Sequence, residues 1–199
     1  MPGRSILALL LLTAAPLAAQ IPATTADGRA VMLYDNGTWK YAAVADSAPA
    51  RRSVASTSKI DILQGKAALY YDPSKWVETA SDEPGRTMLT HVNGDGMAMI
   101  VAERLSMPLQ TLRKIALDNA RKASPDVRVI SERQLTVGGR AMLEMEFSGT
   151  MDGIPFTYLG RYYTGKAGSI QMLTFTGSNL FPEYEPDFRE ILSGFEVTD

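Results

Sequence analysis

Two glutamates, Glu144 and Glu146, stand two residues apart in a stretch that alternates apolar and polar side chains. In an extended strand such residues share one face, about 7 Å apart. That lies inside the roughly 5–9.5 Å window over which paired carboxylates hydrolyse glycosidic bonds. Arg161 falls on the following segment and can face them when the two segments pair as antiparallel neighbours. A cross-strand ion pair on a partly exposed sheet therefore accounts for the same residues without catalysis. Glu144, Glu146, Arg161, Tyr163 and Gln171 form the predicted ligand-binding face, and no catalytic set is assigned. Their common facing depends on register, because a slip of one residue sends a side chain to the opposite face.

Other chemistry is sparse. His91 is the single histidine and ends a predicted strand just before a turn, which reads as an exposed, inert position. With Asp95 it would give a metal only two ligands, too few for a typical structural site. No metal and no cofactor is predicted. Gly160 to Lys166 fits seven positions of a phosphate loop. The eighth, Ala167, lacks the hydroxyl that would reach magnesium, and the glycines lie in strands rather than at a helix start. Zinc-protease, hydrolase-elbow and dinucleotide patterns are absent. Met97 and Met99 share a strand face among Ile100 and Val101, as core methionines do; a copper site would ask for more thioethers set apart from aliphatic neighbours. The chain has no cysteine, which excludes disulfides, thiolate ligands and cysteine nucleophiles. A net charge of −2 gives no electrostatic case for nucleic acid or an anionic membrane.

The elements that must position these residues are legible from patterning. Strands are predicted over 66–71 and 76–79, then a hairpin of 86–92 and 97–105 joined by Asn93-Gly94-Asp95-Gly96. A helix follows, capped by Ser106 with Pro108 in its first turn. It carries Leu109, Leu112, Ala116, Ala120 and Ala123 on one face and stops at Ser124-Pro125. Four strands come next, over 127–137, 140–149, 154–164 and 169–176. Their joints are too short for crossover helices, so neighbours must be antiparallel. A last helix runs over 183–193 with Phe188, Ile191 and Leu192 as its stripe. Phe195 and Val197 close the chain.

Ahead of this domain (59–199) come three further parts. Residues 1–19 read as a signal peptide: Arg4, then an apolar run from Ile6 to Ala15, Pro16, and small residues for cleavage at about Ala19. No transmembrane segment is predicted in the mature chain, and the expected location is periplasmic or secreted. Residues 20–42 read as a β-hairpin turning at Asp35-Asn36-Gly37, and 43–58 as a flexible linker rich in alanine and serine.

Two stretches resemble the Mog1/PsbP-like family. One is Asp72-Pro73-Ser74-Lys75-Trp76 after the first strand of the domain. The other is Phe188-Arg189-Glu190-Ile191-Leu192-Ser193-Gly194-Phe195, which is similar to that family's closing helix. The resemblance spans residues 59–199. It implies an α+β fold, an antiparallel sheet with a strand meander flanked by two main helices. It also implies accessory or binding roles, and it brings no catalytic residue with it. The expected function is a non-catalytic envelope accessory protein whose partner is an envelope protein or a small molecule. Two alternatives stand beside it: a glycan hydrolase using Glu144 and Glu146, and a structural secreted domain with no specific ligand.

Overall fold

The structure is a computed structural model that describes residues 20–24, 30–34, 39–41, 52–81, 83, 85–137 and 139–198. The predicted signal peptide (1–19) and residues 43–51 of the predicted linker lie outside them.

Thirteen strands and two helices are described. In chain order they are β1 (Gln20–Thr24), β2 (Ala30–Tyr34), β3 (Trp39–Tyr41), β4 (Ser58–Ile62), β5 (Ala67–Tyr71), β6 (Trp76–Thr79), β7 (Arg86–His91) and β8 (Met97–Glu103). Then follow α1 (Leu109–Ala123), β9 (Arg128–Val137), β10 (Arg140–Met151), β11 (Ile154–Gly165), β12 (Gly168–Gly177), α2 (Phe181–Ser193) and β13 (Phe195–Val197).

The centre is a seven-stranded antiparallel sheet in the order β6-β7-β8-β12-β11-β10-β9. After β8 the chain crosses to the far edge through α1, enters β9, and returns strand by strand until β12 pairs with β8. On one face lies α1, whose Leu112, Ala116 and Leu117 bury against Leu143, Met145, Phe147, Tyr162 and Leu173. On the other lie α2 and a second sheet in the order β13-β5-β4. Phe188, Ile191 and Leu192 from α2, with Leu69 and Phe195 from the small sheet, enclose Trp76, Leu89, Ile100, Met142, Leu159 and Ile170. Burying a large apolar side chain contributes about 1.5–3 kcal/mol, so these two layers supply most of the drive to fold.

Four details differ from the pattern reading. Residues 58–62, assigned partly to the linker, form β4. The last residues before it, 52–57, sit against the domain, with the Arg52 guanidinium 4.0 Å from the centre of the Tyr70 ring. Ser106 does not cap α1. Pro108 holds that position without a side-chain bond, and the Ser106 hydroxyl instead lies 3.4 Å from that of Thr164. Finally, the predicted N-terminal hairpin is present as β2 and β3, but β1 adds to the free edge of β2. Pro22 obscured β1 in the sequence, yet proline is tolerated on an edge strand where its missing N–H is not needed.

Candidate functional site

The predicted face centres on β10. Glu144 lies directly opposite Arg161 of β11 and opposite Arg133 of β9. The expected cross-strand pair is there, but the setting differs from a partly exposed sheet: Glu144 is 4% exposed, under α2. Arg161 Nε donates to Glu144 Oε2 at 2.9 Å, and its Nη1 donates to the Leu192 carbonyl in the last turn of α2 at 2.9 Å. Arg133 Nε and Nη2 both donate to Glu144 Oε1, at 2.8 and 2.5 Å. Arg189 of α2 reaches the same oxygen from Nη1 at 3.2 Å, while its Nε donates to Glu185 at 2.8 Å.

One carboxylate thus holds three guanidiniums from three elements. Burial alone would raise the Glu144 pKa, but the charges and bonds of Arg161 and Arg133 outweigh it and hold the group below the usual carboxylate range. Ionised and with both oxygens occupied, Glu144 is unsuited to giving or taking a proton. Glu146, two residues along, is half-buried and shows no hydrogen bond among the described residues. Burial pushes its pKa up, and the Glu185 carboxylate adds to the effect.

Tyr163 shares the Glu144 face but is core, its ring 6.0 Å from that of Phe195. Gln171 is a correction. It pairs with Tyr162, one position off the Arg161 row, so it faces the α1 side and does not join the set. The structure therefore brings together Glu144, Glu146 and Arg161, adds Arg133 and Arg189, and separates Gln171. The β9–β10 register could have disclosed Arg133. Arg189 carried no such signal, since nothing local says where the closing helix lands.

His91 is the second correction. It is 5% exposed, not a surface residue. Its ring stands edge-on between Trp76 and Tyr184, each 5.1 Å away. The Asn93 N–H donates to Nδ1 at 3.3 Å. Nε2 lies 3.3 Å from Asp187 Oδ2, but outside hydrogen-bond geometry. Asp187 in turn accepts from Lys75 at 2.7 Å, and Lys75 also donates to Glu190 at 2.5 Å. Those bonds raise the Lys75 pKa. The arrangement pins α2 to the turn before β6. Among the described residues no group of three or more metal-ligating side chains gathers here or elsewhere.

A cleft of about 400 Å³ opens beside the small sheet, lined by Arg52, Ser53, Val54, Ser56, Thr57 and Tyr70. None of the predicted site residues touches it. No helix among the described residues is long and apolar enough to cross a membrane.

No family model and no curated relative matches the sequence. Solved structures do. The solution structure of cyanobacterial PsbP (CyanoP) from Synechocystis sp. PCC 6803 superposes with a TM-score of 0.58 at 12% identity, over 73% of this chain and 95% of that one. Two looser matches are PA94, a protein of unknown function from Pseudomonas aeruginosa, and LpqN of Mycobacterium tuberculosis. The first has a TM-score of 0.46 at 13% identity, over 71% of this chain and 96% of its own. The second has a TM-score of 0.41 at 12% identity, over 67% and 83%. At such identities the likeness concerns architecture, and the PsbP match alone carries it. The antiparallel seven-stranded sheet, with α1 on one face and α2 and a three-stranded sheet on the other, is the Mog1/PsbP-like fold.

Proposed function

We propose that this chain is an exported, non-catalytic accessory protein of the bacterial envelope that binds a protein or small-molecule partner and loses residues 1–19 on export. The observation that carries the reading is the state of Glu144. The carboxylate pair that the sequence offered for hydrolysis, Glu144 and Glu146, has one member clamped by Arg133, Arg161 and Arg189, so that pair lacks a free partner for two-carboxylate chemistry. The fold shared with cyanobacterial PsbP and the apolar leader pattern support it. For a small molecule, the Arg52–Tyr70 cleft has the size of a ligand pocket.

The test has two arms. Tagged chain recovered from fractionated cells is sequenced from its N-terminus; export predicts a start at Gln20 in the periplasmic or secreted fraction. The same material is crosslinked in intact cells and assayed on glycoside substrates. Stoichiometric recovery of one partner without turnover is expected. Retention in the cytoplasm with an intact N-terminus counts against export. Glycoside hydrolysis that disappears in Glu146→Gln would overturn the accessory reading in favour of the hydrolase.

A further inference from the structure

His91 lies outside the Glu144 cluster and takes no part in the proposed function. It is the single histidine of the chain and is 5% exposed. Its contacts place its proton. The Asn93 N–H donates to Nδ1 at 3.3 Å, so that nitrogen presents a lone pair and the neutral ring carries its hydrogen on Nε2. Nε2 is buried, has no hydrogen-bond partner among the described residues, and stands 3.3 Å from Asp187 Oδ2. Each ring nitrogen thus faces a different element: Nδ1 the β7–β8 turn, Nε2 the helix α2.

The surrounding charges favour a second proton. Asp187 Oδ1 and Glu190 Oε2 both accept from the one ammonium of Lys75, which sets two negative charges against one positive. Asp95 in the turn and Glu183 on α2 are further negative charges, and both act on Tyr184, whose ring stands 5.1 Å from that of His91. Trp76 of β6, on the other side of the ring, is uncharged. The turn also rests directly on these side chains. A Cβ on Gly96 would lie 2.8 Å from the Tyr184 ring and 3.1 Å from His91 Cβ.

We propose that His91 is a proton-operated latch between α2 and the Asn93–Gly96 turn. A proton taken up from solvent bonds to the Nδ1 lone pair, and the imidazole becomes a cation. Two N–H donors, on Nδ1 and on Asn93, then meet across a gap that held a hydrogen bond, and that bond is lost. The same positive charge draws Nε2–H onto Asp187 Oδ2 as a charge-assisted bond and supplies the cation that the carboxylate pair lacks. Acid therefore keeps the ring with α2 and lets the turn go. The strands beside it stay paired, because the His91 N–H still donates to the Gly96 carbonyl and the Val92 N–H to the Lys75 carbonyl.

The test follows the whole chain by nitrogen-15 NMR and amide hydrogen exchange between about pH 8 and 5, the span over which an imidazole changes charge. With one histidine the ring signals need no assignment. At the upper end the ring should be protonated on Nε2 alone. On acidification the Asn93 amide should lose its protection with the same midpoint as the ring, while the His91 amide, bonded to the Gly96 carbonyl, keeps its own. In His91→Asn the side-chain oxygen stands where Nδ1 does and accepts the same bond without titrating, so Asn93 should stay protected throughout. Should that variant fail to fold, the shared midpoint in the parent chain decides. A ring protonated on Nδ1 at the upper end overturns the proposal. So do a ring that stays neutral until the domain unfolds, an Asn93 amide indifferent to ring protonation, and a loss of protection that persists in His91→Asn.

Discussion

Glu144 illustrates how one carboxylate can organise three elements. Glu144→Gln leaves three guanidiniums converging on a neutral amide. Breaking a buried ion pair from one side costs about 3–5 kcal/mol, so chemical denaturation at neutral pH should show a loss of that order. The pH dependence has a definite sign. The folded pKa is depressed, so the stabilisation is present above the unfolded carboxylate pKa and is lost as pH falls through the folded value. The gap between parent and variant should therefore narrow on acidification. Glu146 behaves oppositely. Its folded pKa is raised by burial, so the ionised form opposes folding at neutral pH. Glu146→Gln should raise stability at pH 7 by at most about 1 kcal/mol, an advantage that vanishes below the ordinary carboxylate range. Equal destabilisation by both variants would refute the distinction. The sequence showed Glu144 and Arg161 as a pair because both lie on adjacent strands of a meander. It could not show Arg189, which reaches them through tertiary packing, nor the burial of His91, which depends on where Tyr184 of α2 comes to rest.

The elements were legible where periodicity and turn residues agreed. β6 and the hairpin of β7 and β8 sit where Trp76–Thr79 and the Asn93–Gly96 turn put them. α1 stops at Ser124, whose hydroxyl lies 2.8 Å from the Thr150 carbonyl while Asp126 accepts from the Thr150 N–H at 2.8 Å, fastening the helix end to β10. β4 and β13 were harder to see. Each is short, and each is a strand only because β5 lies between them. The junction of α2 and β13 shows the tightest packing of this kind. Gly194 has an ordinary φ of −77°, so glycine is not needed there for its backbone freedom. A Cβ at that position would run into the Tyr70 carbonyl of β5. Gly194→Ala should therefore cost about 1–3 kcal/mol, the usual range for overpacking, and thermal melting would read it. An unchanged melting temperature would mean that β5 and the α2–β13 junction move apart freely.

At the scale of the whole domain, the meander was readable and the layering was not. Short joints between β9, β10, β11 and β12 dictated antiparallel neighbours, but nothing in residues 58–71 announced a separate sheet on the α2 face. That sheet joins the first strand of the domain to the last through β5, so residues far apart in the chain must meet before it exists. Removing residues 195–199 takes away Phe195, which is 1% exposed, and the pairing of β13 with β5. Loss of a buried phenylalanine alone costs about 3–5 kcal/mol. The shortened chain should therefore unfold at markedly lower denaturant, in a single transition. A small loss in a separate early transition would show that the small sheet is an independent unit.

The same sheet has a mechanical consequence. β4 and β13 both run antiparallel to β5, with Ser58 opposite Tyr71 at one end and Val197 opposite Ala67 at the other. A force applied between the two ends of the domain pulls β4 and β13 in opposite directions along their axes. The hydrogen bonds to β5 are then loaded in shear, all together, rather than peeled one by one. Tension along the chain would meet this three-stranded clamp first.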